Sequence, residues 1–148
     1  IKKLYIELNL MEYFPKKKLL ENLIFKYKVN VNLVKFSEKK SIEFFRRSHL
    51  YINSSHFEGF PNAVVDAINY DLPVICSKSH GGINEILVNG KGGMLYEQGN
   101  IQELSNQILD VKNNYKKHIR KKNFAKKFLF RFTEKANIKK FENYIDKI

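Results

Sequence analysis

Short apolar runs alternate with longer amphipathic stretches along almost the whole chain, and that alternation leaves few folds open. Leu4-Tyr5-Ile6-Glu7-Leu8 reads as a strand, and the stretch from Lys16 to Lys28 sets Leu19, Leu20, Leu23, Ile24 and Tyr27 on one face of a helix. Val31 to Phe36 is the next strand, followed by a helix from about Lys39 to Arg47 with Ser37 as its cap and Ile42, Phe44 and Phe45 turned inward. Strands at 49–53, 73–77 and 93–96 are separated by helices at 62–70 and 83–88. Asn100 caps a helix that reaches about Lys112 and presents Ile101, Leu104, Ile108 and Val111 to the core. Two more helices follow, the second opening at Thr133 and carrying Ile138, Phe141, Tyr144 and Ile145. Such alternation calls for a parallel sheet with helices on both faces, because every parallel crossover needs a helix-length connection. No internal repeat, low-complexity tract or Pro/Gly-rich linker interrupts it, so residues 1–148 are expected to form one α/β domain around a Rossmann-like sheet.

The most specific segment is Glu58-Gly59-Phe60-Pro61-Asn62-Ala63-Val64-Val65-Asp66, which sets two carboxylates around a predicted helix start. Before it, the run from His49 to Ser55 ends in polar residues, like a buried strand feeding a loop. Pro61 suits a first helical position, where its missing N–H costs nothing and its φ is already helical. A helix N-terminus reached from a strand and loop offers unpaired N–H groups and the positive end of a dipole, which together favour a phosphate. Asp66 lies roughly 7.5 Å along the axis from Pro61, so Glu58 can meet hydroxyls on one side of a diphosphate and Asp66 a ribose on the other. The amides around Asn62 and Ala63 and those of Gly81-Gly82 are the candidates to hold the phosphates. Read alone, these residues also fit blander roles: Glu58 as a solvated loop charge, Asp66 as a surface helix charge, Gly81-Gly82 as an ordinary turn. Glu85 is read as pinning its turn, and His56 and His80 as loop residues without metal-ligand partners at usable spacing.

Composition excludes several classes. With 43% hydrophobic residues the chain can bury a sizeable core, and no apolar run approaches the roughly 20 residues of a membrane span. The start Ile1-Lys2-Lys3-Leu4 lacks the apolar region of a signal peptide, which makes the cytoplasm the default location. The lone cysteine, Cys76, lies in an apolar strand and reads as core filler. Residues 115–140 hold eleven lysines and arginines against one acid, Glu134, and so carry most of the net +12. Ile119, Phe124, Phe128 and Phe132 recur there at helical spacing, giving a basic amphipathic helix. That helix either packs by its aromatic face or lies against an anionic membrane surface. Nothing resembling a zinc finger, RNA-binding signature or recognition helix accompanies the charge, so nucleic acid is not an expected partner.

The segment from Glu58 to Asp66 resembles the E-x7-E motif of the large retaining glycosyltransferase family with the GT-B fold, the group 1 or family 4 enzymes, whose members commonly read EGFPN…EA here. Asp71-Leu72-Pro73-Val74-Ile75 and Gly81-Gly82-Ile83-Asn84-Glu85-Ile86-Leu87 are similar to that family's G-L-P-V-I strand and G-G-x-x-E-I turn. Asn89-Gly90-Lys91-Gly92-Gly93-Met94-Leu95-Tyr96 resembles its N/D-G-x-x-G-L-L segment. The four motifs occur in the family's order within residues 42 to 110. Three departures stand out: Asp66 in place of Glu, Asp71 where the family usually has Gly, and Glu7-Leu8-Asn9-Leu10 in place of its G-x-G-P turn.

The resemblance implies the C-terminal, donor-binding half of a GT-B glycosyltransferase, with the acceptor domain absent and the family's phosphate-neutralising basic pair beyond residue 1. It implies that Glu58 contacts the donor sugar's hydroxyls and supports charge at the reacting carbon, while Asp66 binds the ribose. Phe60, Pro61, Asn62 and Ala63, with Gly81 and Gly82, would present backbone groups to the sugar and phosphates. No metal and no cofactor beyond the nucleotide-diphosphate sugar are implied. The implied reaction is transfer with retention to a glycan or lipid-linked acceptor in surface polysaccharide or glycolipid synthesis, in the cytoplasm or at the inner face of the membrane. Two rivals are an idle nucleotide-binding or interaction module of the same fold and a basic peripheral binder worked by residues 115–140.

Overall fold

The computed structural model describes residues 8–11, 17–34, 37–79 and 81–146. The chain divides into two compact units, Ile1–Arg47 and Ser48–Ile148. In the first, strands β1 (Leu8–Met11) and β2 (Val31–Val34) pair in parallel, Leu8 opposite Val31, through helix α1 (Lys17–Tyr27), and α2 (Glu38–Arg47) follows. The Ser37 hydroxyl caps α2 as expected, accepting the Lys40 N–H at 3.3 Å. The strand expected from Leu4 lies, but for Leu8, outside the described residues. The expected inner face of α1 is only half covered: Leu20 and Ile24 are partly buried, but Leu19, Leu23 and Tyr27 are exposed.

The second unit is built on a parallel sheet of β3 (Tyr51–Asn53), β4 (Val74–Ser77) and β5 (Met94–Tyr96), in that spatial order, with Tyr51 opposite Val74 and Ile75 opposite Met94. Helices α3 (Asn62–Asn69) and α4 (Ile83–Ile86) lie in the crossovers, and α5 (Ile101–Asn113), α6 (Tyr115–Lys126), a 3-10 turn (Leu129–Phe132) and α7 (Glu134–Ile145) complete it. Strand β4 is buried at every residue. Alternation sends its side chains to opposite faces: Ile75 joins Met94, Tyr96 and Val111 of α5, with Leu50, Ile52, Leu104 and Ile108 around them. Away from that cluster, Val64, Ala67 and Ile68 of α3 and Ile83, Ile86 and Leu87 at α4 are fully buried. Cys76 is core, as expected, and burial pushes its thiol up to about 12.

Two caps match the sequence. Asn100 accepts the Glu103 N–H at 3.0 Å to start α5, and Thr133 accepts the Ala136 N–H at 3.3 Å to start α7. Two expected apolar faces depart from their pattern, one at a single residue and one throughout. Ile101 is 80% exposed while Leu104, Ile108 and Val111 of the same α5 face pack on the sheet, and Ile138, Phe141, Tyr144 and Ile145 of α7 remain exposed.

The basic segment also differs from its pattern. It forms two helices joined by a 3-10 turn, and the buried line of α6 is His118, Lys122 and Ala125, not Ile119 and Phe124. Basic side chains of this segment turn toward acceptors on neighbouring elements. Lys121 donates to the carbonyls of Gly90 and Gly93 at 3.4 and 3.2 Å, and Lys117 and His118 both meet Asp110.

The strongest of these ties closes the end of α3. Asp71 has φ +67° and sits where a left-handed residue ends a helix: the Asp71 N–H donates to the Ile68 carbonyl at 3.1 Å and the Leu72 N–H to the Ala67 carbonyl at 2.9 Å. Glycine is the ordinary residue in that conformation, which explains the family pattern this chain departs from. Here the carboxylate meets Lys122 at 2.6 Å and Lys126 at 2.8 Å, and Lys126 also donates to the Asn69 carbonyl at 3.0 Å. The two ammonium groups offset both the acid and the negative end of the α3 dipole. Lys122 is only 3% exposed, so the pair matters chiefly for keeping that charge satisfied.

Asp71→Gly should therefore relax the backbone yet destabilise the protein by about 1–3 kcal/mol, the cost of leaving a buried donor poorly paired, and adding Lys122→Met should recover most of the loss in urea unfolding. The lysine hydrogen bonds hold the Asp71 carboxyl down at about 2, below its usual 3.8. Its contribution is present above pH 3.8 and lost as pH falls through about 2, so Asp71→Gly should show a shallower decline in stability across that acid window.

Candidate functional site

The carboxyl ends of β3, β4 and β5 lie on one edge of the sheet, and the loops that leave them are tied together. Asn53 Oδ1 accepts the Ser55 N–H at 3.1 Å, and the Ser77 hydroxyl donates to the Ser55 carbonyl. The Lys78 N–H donates to the Tyr96 carbonyl at 2.8 Å, while its ammonium pairs with Glu97. The Gln98 side chain donates to the His56 carbonyl.

The closest approach joins the two segments singled out in the sequence. Gly81 has φ +116°, and a Cβ there would lie 1.8 Å from the Glu58 carbonyl oxygen. The Gly82 N–H donates to the Gly59 carbonyl at 2.8 Å, and a Cβ on Gly82 would come 2.7 Å from the Phe60 ring. One loop thus lies backbone to backbone on the other, a contact only glycine permits. Gly81-Gly82 is a packing device between loops and more than a turn.

Below these loops, the Phe60 ring meets Phe132 edge-on at 5.0 Å. The Arg131 guanidinium lies 5.3 Å from the Phe132 ring and 5.4 Å from Phe128, and donates to the Glu85 carbonyl at 2.9 Å. Glu85 helps hold its turn through this carbonyl; its carboxylate has no hydrogen bond or ion pair among the described residues. Sequence reasoning missed Arg131, counting it only as charge; the aromatic residues around it were the available signal.

At the start of α3, Asn62 is the first helical residue, as the helix expected at 62–70 has it, and Pro61 stands at the cap and not at the first helical position. The Asn62 N–H closes a tight turn onto the Phe60 carbonyl at 3.0 Å, and the Val64 N–H bonds the Pro61 carbonyl at 2.9 Å. Two of the four amides expected to be free, those of Asn62 and Gly82, are therefore occupied by the protein itself. Those of Ala63 and Gly81 have no acceptor among the described residues.

Glu58 is half-buried and Asp66 exposed on α3, and neither carboxylate has a hydrogen bond or ion pair among the described residues. Partial desolvation raises the Asp66 pKa. Burial, then Cys76, and further the charges of Glu58 and Asp66, push the Tyr51 hydroxyl up to about 12; the field of both acids reaches this one phenol. His56 is exposed, and His80 lies outside the described residues. Among the described residues no group of three His, Cys, Asp or Glu side chains is placed to hold a metal, and no helix is long and apolar enough to cross a membrane.

Gly81→Ala should destabilise the second unit by at least about 2 kcal/mol, from left-handed strain together with the overlap at Glu58. Gly99→Ala, with φ +77° but nothing within 4 Å of the added Cβ, should cost only about 1 kcal/mol. Comparing the two by urea unfolding separates backbone strain from the contact between loops.

A family model for the group 1 glycosyl transferases matches residues 13–128, and the chain belongs to this family. It is similar to an uncharacterized glycosyltransferase of Methanocaldococcus jannaschii, 31% identical over 121 residues, covering 75% of this chain and 33% of the relative. It is also similar to the poly(glycerol-phosphate) alpha-glucosyltransferase of Bacillus subtilis, 29% identical over 89 residues, 60% of this chain and 13% of that protein. Among solved structures, Anabaena HepE in complex with UDP-glucose superposes with a TM-score of 0.80 at 21% identity, covering 95% of this chain and 40% of HepE. The fold is that of GT-B glycosyltransferases, a parallel sheet flanked by helices. The chain spans about a third of the length of its M. jannaschii relative.

Proposed function

We propose that this chain is the donor-binding half of a glycosyltransferase that moves a sugar from a nucleotide diphosphate to a glycan or lipid-linked acceptor with retention at the anomeric carbon. The observation that carries the reading is the junction at Gly81, which holds the Glu58 loop against the loop after β4, while the Glu58 and Asp66 carboxylates have no partner among the described residues. Breaking the bond between the anomeric carbon and the diphosphate builds negative charge on phosphate oxygen. The N–H groups of Ala63 and Gly81, which have no acceptor among the described residues, are with the dipole of α3 fixed donors for that charge and need little reorganisation as it develops. Glu58 accepts from the sugar's hydroxyls and supports the cationic reacting carbon, and Asp66 accepts from the ribose. Phe60, Pro61, Asn62 and Gly82 shape the floor between them, and the reaction uses no metal.

The alpha specificity in the name of the B. subtilis relative agrees with retention from an alpha-linked donor, and the similar capsular polysaccharide biosynthesis glycosyltransferase CapM of Staphylococcus aureus supports an acceptor in surface polysaccharide synthesis. The cations of the C-terminal helical segment that have no partner among the described residues, Lys116, Arg120, Lys127, Lys135, Lys139 and Lys140, together with exposed Phe130, Phe141 and Tyr144, suit a cytoplasmic enzyme resting on an anionic membrane surface near a lipid-linked acceptor. A second reading, an idle nucleotide-binding module, is favoured by Asp66, one methylene shorter than the family's usual Glu.

Screening UDP-, GDP- and ADP-sugars for thermal stabilisation identifies the donor, since a ligand at 100 times its Kd adds roughly 2.7 kcal/mol. In the full-length protein, Glu58→Gln should lower turnover about 100-fold or more while nucleotide affinity changes little; equal losses in both would move Glu58 away from the reacting sugar. Asp66→Ala should weaken the bare nucleotide by about 1.5–3 kcal/mol, with Asp66→Glu tolerated. Unchanged affinity in a folded Asp66→Ala protein would favour the idle module.

A further inference from the structure

Ser79 stands two residues beyond the end of β4 and is 5% exposed, yet among the described residues its hydroxyl has no hydrogen-bond partner. Buried hydroxyls are nearly always bonded, and one left without a partner is a standing cost to the folded protein. The contrast with Ser77 is close at hand, because that hydroxyl is satisfied by the Ser55 carbonyl. The backbone around Ser79 is held firmly: its own N–H donates to the Ser77 carbonyl at 2.8 Å, Lys78 is bonded to Tyr96, and Gly81 lies against the Glu58 carbonyl. The hydroxyl therefore sits at the carboxyl end of the central strand, between the loops that follow β3 and β5, which is the ligand side of an open α/β sheet.

We infer that the Ser79 hydroxyl is a contact to the sugar ring of the bound donor, an inference that rests on the nucleotide-sugar reading above. A serine hydroxyl both donates and accepts, as a sugar hydroxyl does. The diphosphate is already provided for by the amide of Ala63 and the dipole of α3, whereas the Ser79 loop backs directly onto Glu58, the carboxylate on the sugar side. With the Gly82 amide committed to the Gly59 carbonyl, this loop has fewer backbone donors left to offer and presents a side chain instead.

The test compares wild-type and Ser79→Ala full-length protein by calorimetry with the matched pairs UDP and UDP-glucose, GDP and GDP-mannose, ADP and ADP-glucose, using the pair that the wild type binds. Ser79→Ala should weaken the nucleotide sugar about three- to tenfold, the worth of one neutral hydrogen bond, and leave the bare nucleotide unchanged. The Tm of the unliganded variant should equal or exceed that of wild type, because an unsatisfied buried hydroxyl has been removed. Ser79→Cys, nearly the same size but a poor donor, should behave like Ser79→Ala. Full affinity for the sugar in both variants would overturn the contact while leaving the donor reading intact. Equal losses for nucleotide and nucleotide sugar, or a lower Tm without ligand, would overturn the sugar assignment in favour of a nucleotide contact or a structural hydroxyl. If wild type binds none of the pairs, the donor reading itself falls, and this contact with it.

Discussion

Strand β4, buried on both faces, is the constraint from which the second unit follows. Its neighbours β3 and β5 run parallel to it, so neither connection can be a tight hairpin and each has to travel back across a face of the sheet. Helices α3 and α4 occupy those connections, and α5 covers the face of Ile75, Met94 and Tyr96. The same parallel arrangement delivers all three strands to one edge, where their loops have to share a small volume. Gly81 and Gly82 are the answer to that crowding: two loops can lie in contact only where one of them carries no side chain. The loop that carries Glu58 is thereby placed by the packing of its backbone against Gly81 and Gly82.

The basic segment changes meaning once its partners are known. As a sum of charges it suggests a surface made for an external polyanion, but five of its cations are anchors within the protein. Lys121 holds the Gly90 and Gly93 carbonyls, Lys122 and Lys126 hold Asp71, Lys117 joins Asp110, and Arg131 holds Glu85. These ties fasten the last part of the chain to the ends of α3 and α5 and to α4. Charge counting cannot distinguish an anchor from a solvated lysine, since both have the same side chain and differ only in what the fold places opposite them.

Most of the architecture was legible because it is written in local periodicity and capping. The strands β3, β4 and β5, the helix after Pro61 and the caps at Ser37, Asn100 and Thr133 all depend on residues close in sequence. What was not legible depends on long-range placement. The apolar stripes of α1 and α7 predicted burial, but periodicity says only that a face is apolar and not that a neighbour covers it. The inward face of α6 was misread for the converse reason, because Lys122 looks polar on any hydropathy scale and its acceptor lies far away in sequence at Asp71. At the site, the two carboxylates and two glycines were marked by their motifs, whereas the occupation of the Asn62 and Gly82 amides required the course of the loops to be known.

The corner at Asp71 also constrains the order in which such a pair can arise. Starting from glycine, an aspartate at an exposed left-handed position costs about 1 kcal/mol and strands nothing. A lysine placed first at position 122, nearly sealed from solvent, would have the Asn123 side chain as a partner but no counterion, at a cost of about 1–3 kcal/mol. The order with the acid first is therefore the less costly one. Once the lysine has followed, going back to glycine is no longer a small step, and a residue that began as an incidental surface change has become a fixed part of the fold.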